Sequence, residues 1–173
     1  YGRVSPAEEM IVIQTIVGIV ASMLSDENLH CIHCTDGEES ELRKQTCVLF
    51  AESSLGLLAI AAAHGGATAL ANRQQECLKV ICKTIHRKFD SIKVVLQGCN
   101  AICSVLPLFV WNSVYKTSDE TQESNAEVAK EIVAVVEMVL STQKKDTEQD
   151  EELGFAACRL LSILIVDVAK KAV

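Results

Sequence analysis

Apolar residues recur every three or four positions through most of the chain, and the stretches where they stop are short and polar. That period is the signature of helices buried along one face and joined by solvated connections. "SPAEEM", residues 5–10, opens the first helix: Ser5 suits the N-cap, Pro6 the first helical position, and Glu8 completes a capping box. This helix is expected to run to about Leu24. It is apolar nearly all round, so neighbours are expected to cover it on several sides.

A polar loop, residues 25–39, separates it from a long helix over Ser40 to Ala63, which His64-Gly65-Gly66 should end in a left-handed cap. Ala67 to Asn72 reads as a short helix. Gln75 to Lys88 reads as another, with Cys77, Leu78, Ile81, Cys82 and Ile85 on one face. Asp90 or Ser91 can cap the next, which carries "SIKVVLQGCNAICSVLPLF" and should stop near Pro107. A hydrophilic acidic segment, 116–125, precedes a helix over Ala126 to Leu140. There Ile132, Val133, Val136, Val139 and Leu140 are expected to face in, and Lys130, Glu131 and Glu137 out. After a charged loop, 141–150, a last helix begins near Glu151. Residues 1–173 thus read as a single all-α domain with loops at 25–39, 116–125 and 141–150.

The helices look alike in places. "QGCNAICSVL", residues 97–106, resembles "FAACRLLSIL", residues 155–164: Gly98 and Cys99 match Ala156 and Ala157, and Ile102, Val105 and Leu106 match Leu160, Ile163 and Leu164. "ESSLGLLAIA", residues 52–61, fits with Ser53 and Ser54 at the small positions, giving offsets of 45 and 58 residues. A helical period in the forties points to an α-solenoid, in which stacked helix pairs bury faces that no pair can bury alone. Residues 65–106, from "GGATAL" to "AICSVL", resemble one armadillo repeat, and HEAT repeats are similar. The resemblance implies an α-solenoid of about three armadillo/HEAT-like repeats; the alternative is a compact helical bundle. It also implies a groove lined by every third helix. Lys93, Gln97, Asn100 and Ser104 share one face there, away from Ile92, Cys99, Ile102 and Leu106, with Glu52 and Arg159 at the borders. The asparagine ladder of import receptors is absent, so cargo-peptide binding of that kind is not implied.

Composition agrees with helix: 49% of residues are apolar and 4% aromatic, with two prolines and eight glycines among 173 residues. The net charge of −7 disfavours a phosphate backbone as ligand, so no nucleic-acid partner is expected. Eight cysteines lie mostly within apolar helical patterns, where reduced Cys acts as a small hydrophobe, so a reducing, cytoplasmic setting is expected. The run Met10 to Leu24 is broken by Gln14, Thr15 and Ser22, falls short of the ~20 residues of a membrane span, and follows an acidic flank. Neither a span nor a signal peptide is expected. Because the first residue is Tyr, the chain is read as a piece of a larger protein.

Candidate chemistry is sparse. "LHCIHC", residues 29–34, clusters His30, Cys31, His33 and Cys34. Zinc takes four ligands, usually as two separated pairs, and only the pair Cys31 and Cys34 has suitable spacing. The cluster reads first as a solvated loop and second as a metal or redox site. "IHRKF", residues 85–89, has a sufficient role in complementing a helix dipole. No phosphate loop, dinucleotide fingerprint or nucleophile elbow occurs. No enzyme and no cofactor are expected. The function expected is a non-catalytic protein-interaction scaffold that binds a protein partner or itself.

Overall fold

A computed structural model of the chain describes residues 5–26, 38–71, 73–108, 119–142 and 148–169. The described residues are helical, without a strand: α1 (Pro6–Ser25), α2 (Glu38–Ala69), α3 (Gln74–Arg87), α4 (Ile92–Val105) with a 3₁₀ turn (Leu106–Leu108), α5 (Asp119–Thr142) and α6 (Glu148–Ala169).

Local chemistry accounts for several boundaries. The Ser5 hydroxyl accepts from the Glu8 amide at 3.3 Å, and the Glu8 carboxylate accepts from the Ser5 amide at 2.8 Å. These bonds to Ser5 hold the Glu8 carboxyl below its usual pKa. Ser91 occupies the N-cap of α4 by its extended backbone, while its side chain makes no cap bond. Two helical runs meet inside α2 at Gly66, where φ is 56° and ψ is −149°. Only glycine takes that backbone at little cost. The expected break is therefore present, but helix resumes at once. The segment 116–125, read as a loop, is helical from Asp119, so α5 starts seven residues before Ala126.

The helices pack in two rows. In one, α2 packs on α4 and α4 on α6; in the other, α1 packs on α3 and α3 on α5. The rows are joined by α1 on α2, α3 on α4 and α5 on α6. Among the described residues, neither α1 nor α2 packs extensively on α5 or α6. A single apolar core runs through all six helices.

Burial repeats in register along each row. Ala51, Ser54, Leu55, Leu58 and Ala62 of α2 are buried, as are Val95, Gly98, Cys99, Ile102 and Leu106, and Leu153, Ala156, Ala157, Leu160 and Leu164 of α6. The offsets are 44 and 58 residues, so Ser54, not the exposed Ser53, corresponds to Gly98. The other row repeats one spacing: Val17, Val20, Ala21 and Leu24; Leu78, Ile81, Cys82 and Ile85; Ile132, Val135, Val136 and Val139.

Several inward positions expected from the pattern lie outward. Val133 and Leu140 are exposed on α5 because Val128, Ile132, Val135, Val136 and Val139 already fill its buried arc. Ile92 is exposed at the start of α4. The largest departure is α1. Only Val17, Val20, Ala21 and Leu24 are buried, while Ile11, Val12, Ile16, Ile19 and Met23 are exposed.

Candidate functional site

The residues proposed to line a groove fall on the α2–α4–α6 row. On α4, Lys93 is exposed and Gln97, Asn100 and Ser104 are half-buried, because Val95, Cys99 and Ile102 take the opposite face. Gln97 leans towards α2: a Cβ on Gly56 would sit 3.9 Å from its Oε1. Glu52, half-buried, lies one turn before Gly56 on the same flank of α2. The Ser104 hydroxyl donates to the Asn100 carbonyl at 3.0 Å, so it serves its own helix. Arg159 is exposed on α6, and its charge reaches the Cys103 thiol of α4. The six residues thus lie along one row, with Lys93 and Arg159 exposed and Glu52, Gln97, Asn100 and Ser104 half-buried.

His30, Cys31, His33 and Cys34 lie outside the described residues. Among the described residues, no three His, Cys, Asp or Glu side chains are grouped to hold a metal ion. The thiols of Cys77, Cys82, Cys99 and Cys103 are free and buried. Burial pushes Cys77 up to about 11 and Cys82 and Cys99 up to about 12. Burial also raises Cys103, against the opposing pull of Arg159. Such thiols stay protonated and are poor nucleophiles and poor metal ligands. Cys158 is exposed and Cys47 half-buried.

Basic residues collect on α3. Lys79 pairs with Glu127 of α5, which holds the Glu127 carboxyl below its usual pKa. Lys79, Lys83 and Arg87 line a shallow cleft of about 430 Å³ with Ser25 at the end of α1. Its lysines stand at the surface beside carboxylates, so it offers no enclosed anion site.

The least expected surface lies between α1 and α2. Ile13, Ile16 and Val20 face Leu57, Ile60 and His64 across a cleft of about 170 Å³, apolar in almost all of its lining. The Gln14 amide of α1 donates to the Thr68 carbonyl of α2 at 2.8 Å, and Met10 lies against Gly65. Ile60 lies one turn after Gly56 on the stripe that begins at Glu52, and Leu57 lies further round the helix, so on α2 the cleft adjoins the polar residues. The sequence signal for this surface was the apolar circumference of α1, together with apolar positions on α2 beyond those one buried face needs. The residues 6–25 and 41–69 are also long and apolar enough to cross a membrane by length and composition, and 22% and 28% of their apolar windows are buried. The expectation that α1 is too short for a span does not hold on that criterion.

No protein-family model, no curated protein and no solved structure matches the chain, so its function is argued from the geometry of these surfaces.

Proposed function

We propose that this chain is an armadillo/HEAT-like α-solenoid module, a non-catalytic scaffold that binds a protein partner. One observation carries the reading. The same five-position burial register recurs along the α2–α4–α6 row while, among the described residues, each helix pair packs extensively on its neighbouring pairs alone. A compact bundle closes its helices around one centre, whereas a solenoid stacks equivalent pairs in line and leaves faces open for partners. Buried, protonated thiols used as core residues support a reducing, cytoplasmic setting.

The partner-binding residues proposed are Lys93, Gln97 and Asn100, with Glu52, Ser104 and Arg159 at the borders. They stand together on one row, and their polar groups face away from the core. The charge balance of −7 favours a protein over a nucleic acid as partner.

Cross-linking with mass spectrometry on the intact chain would name a partner, and calorimetry would then measure the purified pair. Lys93→Glu, Gln97→Arg and Asn100→Arg should each weaken that binding about tenfold or more, the effect of a disrupted interface contact. Unchanged affinity in all three would remove this row as the binding surface.

A further inference from the structure

We propose that the outward face of α3 is a docking surface for a short acidic segment of a partner protein, contacted by Lys79, Lys83 and Arg87. This face belongs to the α1–α3–α5 row, so the inference goes beyond the surface proposed on α2, α4 and α6 and does not depend on it.

The charges of the chain are unevenly placed. Residues 73–93 hold six of its 16 lysines and arginines but two of its 23 acids, a net charge of +4, while the remaining residues carry −11. The positive stretch is α3 with the turn into α4. Lys79, Lys83 and Arg87 follow one another at intervals of four along α3, on the side opposite buried Ile81 and Ile85. They span about 12 Å of helix. All three line the cleft of about 430 Å³, whose wall also includes Val80 and Ser25.

The helix dipole explains only part of this arrangement. It favours cations in the last turn, where His86 and Arg87 stand. Lys83 lies one turn earlier and Lys79 two, beyond the reach of that field. Nor do the neighbouring carboxylates balance the stripe. Glu127 of α5 pairs with Lys79, and Lys83 adds to the pull on the same carboxyl, so one anion answers two ammonium groups. Glu76, the acid that lines the cleft, lies 4.0 Å from Arg73. Among the described residues, Lys83 is exposed and forms no ion pair. The surplus positive potential attracts anions to this face of a chain that repels them elsewhere.

The form of the stripe selects among anions. Cations about 6 Å apart along a helix suit carboxylates spaced along a segment, and are too far apart to close on one phosphate. No aromatic side chain lines the cleft to stack a base. Three cations also release few counterions from a nucleic acid, which the remaining charge of −11 repels.

The test measures fluorescence anisotropy with the purified intact chain. Its probe is a labelled helical peptide with glutamate at every fourth position, set beside a counterpart with glutamine in their place. The glutamate peptide should bind at least about tenfold more tightly than the glutamine peptide, and added salt should erode that difference. Lys83→Glu should weaken its binding about tenfold, the size of one lost interface charge contact. Lys83→Arg should retain binding. Lys44→Glu on α2 makes the same change in net charge outside the stripe and should also retain it. Lys83 is exposed, so far-UV circular dichroism should be unchanged; if Lys83→Glu unfolds, Lys83→Gln replaces it. Equal binding of the two peptides overturns the proposal, and so does equal loss in Lys83→Glu and Lys44→Glu. A single-stranded RNA or phosphatidylserine vesicles that bind through Lys83 more tightly than the glutamate peptide would overturn it as well.

Discussion

Ile85 of α3 occupies the space that any side chain on Gly98 of α4 would need: a Cβ there would overlap its Cγ1 and Cδ1. Both residues are fully buried, so neither helix can shift without opening the core. Gly98→Ala should therefore destabilise the fold by about 1–3 kcal/mol through overpacking. Adding Ile85→Val should recover part of the loss although Ile85→Val alone is destabilising. Urea unfolding of the two single variants and the double variant checks this, and simple additivity would refute the contact.

Two backbone positions predict opposite signs. Gly66→Ala should cost about 1 kcal/mol or more, because a side chain there must adopt φ of 56°. Ala71 already carries a positive φ of 49° just after α2, so Ala71→Gly should stabilise by up to about 1 kcal/mol. Thermal unfolding of the pair should move in opposite directions.

The buried thiols make stability fall at alkaline pH. Cys77, Cys82 and Cys99 have folded pKa values raised to about 11, 12 and 12 by desolvation, against 9.0 unperturbed. The folded state holds their protons after the unfolded state has released them. Their contribution is fully present below pH 9 and is lost as pH rises from there through 11–12. Each thiol should contribute on the order of 1 kcal/mol per pH unit in that window. Unfolding free energies measured at pH 8 and pH 10.5 should differ less in Cys99→Ala than in the wild type. A thiol-specific reagent should meanwhile label exposed Cys158 long before these three.

Val133 and Val136 have the same side chain on the same helix, one exposed and one buried. Val136→Ala should cost about 2 kcal/mol for lost burial and the cavity left behind. Val133→Ala should change stability by less than about 0.5 kcal/mol. Equal costs would mean that α5 is rotated about its axis.

The Glu127 carboxyl, held down mainly by its hydrogen bond from Lys79, ties α5 to α3. Its stabilisation is present above the carboxylate's ordinary pKa of 4.5 and is lost as pH falls through the lowered value. Glu127→Gln should flatten stability across that acidic range. An NMR titration in which Lys79→Ala left the Glu127 pKa unmoved would exclude the pair.

By itself the sequence determined the helices and much of their buried faces. Cys77, Leu78, Ile81, Cys82 and Ile85 are all buried as their spacing requires, because an isolated apolar stripe has only one way to face a core. Ser5 and Glu8 declared the start of α1, since a capping box is a local arrangement that needs no distant partner. The similarity of α4 and α6 was legible with its offset of 58 residues. The register of α2 was not, because Ser53 and Ser54 are both small and only burial separates them. Likewise, Val133 and Leu140 are as apolar as their neighbours, and only the position of α3 and α6 around α5 decides which residues are covered. The tertiary structure alone decided that α1, apolar almost all round, is covered on one side and bare on the other. A chain can encode an apolar surface in its residues, but which part of it meets another helix depends on where the other helices end.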